Sequence, residues 1–291
     1  MAETDLALFP VKTALFLGGY ESVITEAEDV EELTEQQREE RDLFVLRAKV
    51  GLGQYDEVAA SVDDDSPLAY SAVKKLAEFL SSSSARQGIL SQLKEWSTDP
   101  ACQANSAAMA IAGQVFLAGN EPADALRCCH AGQDLEQMAV CVQALLAMNR
   151  VDEAEKKLKA MQAADETATL SQLCTAWVGL ALGGRGVQEA AYILQELGDR
   201  FHWTPALHSG LAVAKLRMGQ VAEALSCAQE ALALDPNHAD SLATMIACQL
   251  HMGQPADDAL AQLREVAPEH SFVDRMNRAS EAFSEAASPY S

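Results

Sequence analysis

The feature that most constrains this sequence is a motif that recurs about every 34 residues along nearly the whole chain. Each copy has a turn residue, often glycine, followed a few positions later by a small or β-branched residue. Aligning the copies gives the positions at which two helices are expected to cross: Val23, Val58, Gly88, Ala125, Ala154, Ala190, Ala224 and Ala259. Such a period is typical of repeated supersecondary units, each of which needs its neighbours to bury its apolar face.

The best-formed copy, at residues 205–237, indicates what each unit is. Ala224 and Ala231 are small enough to let two helix backbones approach closely. Gly219 stands at the mid-repeat turn, where it tolerates left-handed backbone angles, and Pro236 ends the second helix. These spacings match the tetratricopeptide pattern of two antiparallel helices. The sequence therefore predicts an all-α fold, a tetratricopeptide-like helical-hairpin solenoid of about eight helix pairs, some of them degenerate.

The repeats predict how the chain is divided. We expect one solenoid over residues 1–280, in which the amino-terminal repeats, about 5–160, bind a partner and the carboxy-terminal repeats cover about 165–275. Residues 281–291 are expected to form a frayed tail. A run of four serines at residues 81–84 falls at the mid-repeat turn of the third pair. We favour a turn over a flexible linker there, since the helical pattern resumes within a few residues.

The charge balance limits the classes of partner. Acidic residues number 43 and basic residues 21, which gives a formal net charge of −22. That charge repels nucleic acid and anionic lipid, so we expect neither nucleic-acid binding nor direct membrane insertion. The amino terminus lacks a secretory leader pattern, and the longest apolar runs are shorter than a membrane span. We therefore expect a soluble, cytosolic chain.

The sequence contains no clear motif for binding a metal ion or a cofactor. The seven cysteines form no Cys-x-x-Cys pair, and the six histidines have no ligand spacing. We expect reduced, buried thiols and no cofactor. Glycines at residues 183–186 lack the Gly-Lys-Ser/Thr end of a phosphate loop, and we interpret them as a turn. The aspartates at residues 63–65 lack calcium-loop spacing, and Ser66 with Pro67 is expected to start a helix there. We predict that the protein is not an enzyme.

A binding scaffold is the function class that remains. In such a solenoid the first helix of each pair lines the inner wall, where a partner is bound. Counting from the turn residues gives these partner-binding candidates: Leu8, Lys12, Leu43, Arg47, Val50, Met109, Phe116, Gln143 and Leu146. Most are apolar, which suits an extended or β-like segment of another protein. The alternative, equally open for each residue, is ordinary packing between helices.

Several stretches resemble one known family. They are LFPVKTALFLGGY at residues 8–20, ERDLF at 40–44, and the segments at 150–162, 165–178 and 187–197. Together they resemble the epsilon subunit of coatomer, the coat of Golgi-derived vesicles. The likeness spans roughly residues 5 to 275 and thins over the last forty positions.

The resemblance implies a non-enzymatic coat component without a cofactor. It implies a partner, the carboxy-terminal region of the coatomer alpha subunit, and a role in Golgi-to-ER and intra-Golgi transport. The location that it implies is cytoplasmic, with peripheral recruitment to Golgi membrane and coated vesicles through that partner.

A generic tetratricopeptide adaptor or co-chaperone is the alternative. Capture of an acidic carboxy-terminal peptide needs several Lys, Arg and Asn side chains converging on the groove. The predicted inner wall offers only Lys12 and Arg47, and the chain is strongly acidic.

Overall fold

Helices account for all the regular structure over residues 7–63 and 65–288, the part of the chain that this computed structural model describes, and no strand occurs there. In chain order the helices are α1 (Phe9–Leu17), α2 (Tyr20–Asp29), α3 (Glu35–Gly51), α4 (Tyr55–Ser61), α5 (Leu68–Ser81), α6 (Arg86–Trp96), α7 (Pro100–Gln103), α8 (Ser106–Ala118), α9 (Pro122–Cys129), α10 (Leu135–Ala147), α11 (Val151–Asp165), α12 (Thr169–Leu182), α13 (Arg185–Arg200), α14 (Pro205–Arg217), α15 (Val221–Leu234), α16 (Ala239–His251), α17 (Asp257–Val266) and α18 (Ser271–Ala287). The all-α prediction is confirmed.

The helices follow the predicted pairing. Leaving aside the short α7 and the final α18, they form eight successive pairs, and every expected crossing position lies on the second helix of its pair. All but one of these positions are buried. The exception is Gly88, which is exposed, while its neighbour Ile89 is buried. The predicted register was therefore wrong by one residue in the third pair.

The conformation of the turn within each pair explains why the repeat pattern is clear in most pairs and not in the third. Gly53 and Gly219 have φ angles of 76° and 79°, a left-handed conformation that glycine adopts without a Cβ clash. Asn120 and Asn149 take the same conformation, at 57° and 58°, in the fourth and fifth pairs. The third turn, Ser82 to Ala85, has no such residue among those described. It therefore offers no marker from which the register could be read.

By its contacts the chain divides into two compact units, residues 1–186 and residues 187–291. The single solenoid expected over residues 1–280 stays a prediction. Of the expected tail at 281–291, the part up to Ala287 continues α18 with almost entirely exposed side chains, and residues 289–291 lie outside the described residues.

In the first unit, the first helices of the pairs form a closed cycle of neighbours. Helix α3 contacts α5, α5 contacts α8, α8 contacts α10, α10 contacts α12, and α12 contacts α1, which contacts α3 again. Phe16 of α1 packs against the apolar cluster built by α10, α11 and α12. Because each first helix lies between two others, the six together form the inner layer of this unit, and the second helices flank them.

In the second unit, α14 to α17 pack as consecutive antiparallel neighbours. Its apolar centre includes Leu242, Ile246 and Leu263. The rings of Trp203 and His208 stack with their centroids 4.4 Å apart. Across the described parts of the chain, none of the helices combines the length and apolarity needed to span a membrane. The seven cysteines are free thiols, buried except for the half-buried Cys227.

Candidate partner-binding groove

An open groove of about 390 Å³ lies within the first unit, where the amino-terminal ends of α5, α8 and α10 meet the amino-terminal and central turns of α3. Helix α1 adds one side chain, Lys12. The lining combines carboxylates, two cations, amide and hydroxyl groups, and apolar side chains. Its members are Lys12, Gln36, Glu39, Glu40, Leu43, Phe44, Arg47, Pro67, Ala69, Tyr70, Asn105, Ser106, Ala107, Asp134 and Glu136.

Three lining residues, Pro67, Asn105 and Asp134, are N-caps, because the groove lies where α5, α8 and α10 begin. Asn105 Oδ1 accepts the Ala108 N–H at 2.9 Å, and Asp134 Oδ1 accepts the Glu136 N–H at 2.8 Å. At the start of α3, the side chain of Thr34 closes a capping box with Gln37. These side chains satisfy backbone donors that would otherwise have no partner in the first helical turn.

Helix α5 begins differently from the sequence prediction. Pro67 itself is the N-cap and provides no side-chain cap, so the expected Ser66 cap with Pro67 in the first helical turn was wrong. The Ser66 hydroxyl instead accepts the N–H of Asp63 at 3.1 Å. A proline ring fixes φ but has no hydrogen-bond acceptor, so Pro67 cannot cap a backbone N–H of the first helical turn. Asp64 lies outside the described residues, and among those described no three metal-ligating side chains cluster.

The floor of the groove is an ion pair that joins α3 to α10. Arg47 Nη1 donates to Glu136 Oε2 at 3.2 Å, and Nη2 makes a second, shorter contact with Oε1. The Arg47 side chain is only 7% exposed and that of Glu136 12%. Gln114 of α8 donates to the same carboxylate at 3.3 Å. The pair links positions 89 residues apart, on two helices that are three steps apart in the cycle of first helices.

The mouth of the groove carries exposed carboxylates, those of Glu39 and Glu40. Next to them, the Tyr70 hydroxyl donates to the backbone carbonyl of Glu39 at 2.8 Å. Burial, with smaller contributions from the nearby Asp42 and Glu39 carboxylates, raises the pKa of Tyr70 to about 12, and Arg41 opposes the rise. The phenol therefore stays protonated at neutral pH and keeps this hydrogen bond.

Three of the predicted partner-binding residues, Lys12, Leu43 and Arg47, line the groove. Gln143 and Leu146 are half-buried on α10 outside it, and Leu146 packs against the cluster of α10 to α12. The other predicted residues are almost fully buried within the chain: Leu8, Val50, Met109 and Phe116. For those four, packing between helices, the alternative interpretation, accounts for their position, because each first helix is surrounded on several sides.

Sequence reasoning missed the carboxylates of Glu39 and Glu40, the Tyr70 ring and the capping residues. A usable signal existed for Asn105 and Asp134, since each is a capping residue directly before a helical apolar run. The groove lining includes neither histidine nor cysteine. Its carboxylates, hydroxyls and apolar walls are suited to holding a polypeptide segment.

Solved structures with a similar fold are tetratricopeptide-type assemblies. The APC/C hetero-tetramer Cut9-Hcn1 matches with a TM-score of 0.63 at 15% identity, over 94% of this chain and 55% of the matched chain. A tetratricopeptide repeat protein from Parabacteroides merdae matches with a TM-score of 0.52 at 11% identity, over 94% of this chain and 96% of the other. At such identities the likeness shows the fold alone, and it confirms the predicted repeat type.

Curated sequences give a much closer likeness. The chain is 37% identical to coatomer subunit epsilon-1 of Oryza sativa subsp. japonica, over 98% of both chains. It is 36% identical to coatomer subunit epsilon-1 of Arabidopsis thaliana, over 96% of this chain and 95% of the relative. The coatomer subunit epsilon of Caenorhabditis elegans is 30% identical over 97% of each. The profile of the family described as "Coatomer epsilon subunit" matches residues 4–291. This chain therefore belongs to the coatomer epsilon subunit family.

Proposed function

We propose that this protein is a non-enzymatic structural subunit of the coatomer vesicle coat, and that it binds and stabilises the carboxy-terminal region of the coatomer alpha subunit in Golgi-to-ER and intra-Golgi transport. Family membership supports the coat role. The choice of the alpha subunit rests on the family resemblance. Recruitment to Golgi membrane and coated vesicles then occurs from the cytoplasm, through that partner.

The observation that carries the binding proposal is the closed cycle of first helices with its open groove. The packed inner layer presents Leu43, Tyr70 and their neighbours in fixed positions. Little binding free energy is therefore lost to reorganisation of the scaffold when a segment binds. The groove lies among residues 12–136, which places it within the repeats expected to bind a partner. Binding there would use contacts from several inner helices, whose residues line the groove together.

Calorimetric titration of the full chain with the purified carboxy-terminal region of the alpha subunit tests the proposal. We expect saturable one-to-one binding at micromolar concentration or tighter. No association at micromolar concentration would contradict the proposed partner.

A matched pair of variants tests the location. Ser106 is exposed at the start of α8 and lines the groove, whereas Ser91 is exposed on the second helix α6. Ser106→Trp should fill the groove and weaken binding at least about tenfold, while Ser91→Trp should leave it unchanged. Equal affinities for both variants would place the contact elsewhere on the chain.

A further inference from the structure

Some charged side chains at the groove already have a partner within the chain, and others do not. Of its two cations, Arg47 is buried against Glu136 in the floor, and Lys12 has an interaction of its own. Of its four carboxylates, Glu136 is held by Arg47 and Asp134 accepts a backbone N–H of α10. Glu39 and Glu40 remain at the mouth, and within the described ranges neither carboxylate forms an ion pair.

The helix amino termini around the groove could in principle favour an anion, because their backbone N–H groups carry partial positive charge. In three of the four helices those donors already have side-chain acceptors, namely Thr34, Asn105 and Asp134. An anion at those three helices would have to displace a cap, and one at α5, which has no side-chain cap, would still face Glu39 and Glu40. The carboxylates therefore make the electrostatic potential of the groove negative, and the groove favours a cation.

An apolar wall lies beside the carboxylates. Pro67, directly before α5, is exposed and Tyr70 of α5 is half-buried, and the largely buried Leu43 and Phe44 of α3 line the same opening behind them. Long cationic side chains bury their methylene stems on apolar surface while the charged head stays near water or a carboxylate. A cavity of about 390 Å³ has room for such a side chain and the backbone that carries it.

We propose that the groove binds a lysine or arginine side chain from the segment that the partner contributes, with its stem against Leu43 and Tyr70 and its charged head at Glu39 and Glu40. This inference rests on the proposed function and specifies the chemistry of the bound segment. Burial is the main cause of the raised pKa of Tyr70, and the Glu39 carboxylate adds to it; the same negative charge of Glu39 favours a bound cation.

The test is calorimetric titration of the full chain with the carboxy-terminal region of the alpha subunit at low and high salt. Glu39→Gln together with Glu40→Gln removes both charges from exposed positions and keeps the side-chain shape. The matched control, Glu28→Gln together with Glu31→Gln, removes two exposed charges away from the groove. We expect the groove variant to bind about three- to tenfold more weakly at low salt, with a shallower salt dependence, and the control to match the wild type.

Replacing each lysine and arginine of the partner region by alanine identifies the cation. One such partner variant should lose the same affinity, and should lose nothing more against the Glu39→Gln, Glu40→Gln chain. If the wild type binds but the groove variant binds equally well or more tightly, this inference is wrong while the proposed function stands. If the wild type does not bind the alpha region at all, the proposed function itself fails.

Discussion

The two units use the same helical hairpin in different ways. In the first, α8 buries bulky side chains such as Met109, Ile111 and Phe116, since the cycle of first helices surrounds it. In the second, α14 buries Leu207 and Leu211, but its partner α15 buries only three alanines, and α18 buries only Val273 while Phe283 stays 75% exposed. Yet the second unit contains the best-formed repeat of the sequence. A close match of a sequence to the repeat pattern thus indicates that two helices cross at a short distance. It does not indicate how many large side chains the unit buries.

The largest expected effect contrasts one phenylalanine from each unit. Phe116→Ala should lower the free energy of unfolding by about 3–5 kcal/mol, because the side chain is fully buried and its removal leaves a cavity. Phe283→Ala should change it by less than about 0.5 kcal/mol. Urea denaturation followed by circular dichroism measures both. Similar losses for the two variants would mean that the outer face of α18 is covered in solution.

The second contrast uses one ion pair from each unit. Arg47→Ala should cost about 3 kcal/mol of stability, because it leaves the largely buried Glu136 carboxylate without its cation. Lys215→Ala breaks the 2.7 Å pair with Glu223, whose side chain is 55% exposed, and should cost less than about 1 kcal/mol.

Replacing both groups of the buried pair serves as the control. Arg47→Met with Glu136→Leu should recover most of the loss, since no unpaired charge remains. Arg47→Ala and Lys215→Ala variants of equal stability, compared by urea denaturation, would show that the floor of the groove is hydrated.

The third contrast concerns helix glycines. A Cβ at Gly113 of α8 would lie 2.7 Å from Val140 Cγ1 and 2.8 Å from Cys129 Sγ, so Gly113→Ala should destabilise the chain by about 1–3 kcal/mol. A Cβ at Gly210 of α14 would lie 3.2 Å from the flexible end of Leu194. There the helix propensity of alanine, about 1 kcal/mol better than glycine, should offset the contact. A stable Gly113→Ala variant, judged by its thermal midpoint, would show that α8 and α10 have room to separate.

The smallest expected effect is a pH dependence. Because the folded pKa of Tyr70 is raised to about 12 from 10.0, its contribution to stability is complete below pH 10 and is lost as the pH rises toward 12. Tyr70→Phe should flatten this alkaline loss in urea midpoints. Identical alkaline profiles for the wild type and Tyr70→Phe would contradict the proposed burial of the phenol.

Much of the fold could be predicted from sequence because its determinants are local. A small or β-branched residue is favoured where two helices cross, and a left-handed residue is favoured where the chain reverses. Those two signals located the paired helices. The register failed at Gly88 because the third turn has no left-handed residue among those described, and α7 lengthens the interval that follows.

The groove was harder to predict from the sequence, because it is formed by residues from helices that are far apart along the chain. Lys12, Leu43 and Arg47 could be found from helical spacing alone. That spacing does not distinguish the side of a first helix that faces the interior from the sides that face other helices, so Met109 and Phe116 were included with them. Glu39 and Tyr70 come together with Asp134 only when α10 returns beside α3, and the sequence carries no local sign of that contact.

Hydrogen exchange on the full chain, with and without the carboxy-terminal region of the alpha subunit, tests directly whether that region binds in the groove. We expect new protection of backbone amides at the starts of α3, α5, α8 and α10, where the groove lies. Protection confined to α14–α18, with those four helix starts unchanged, would contradict it.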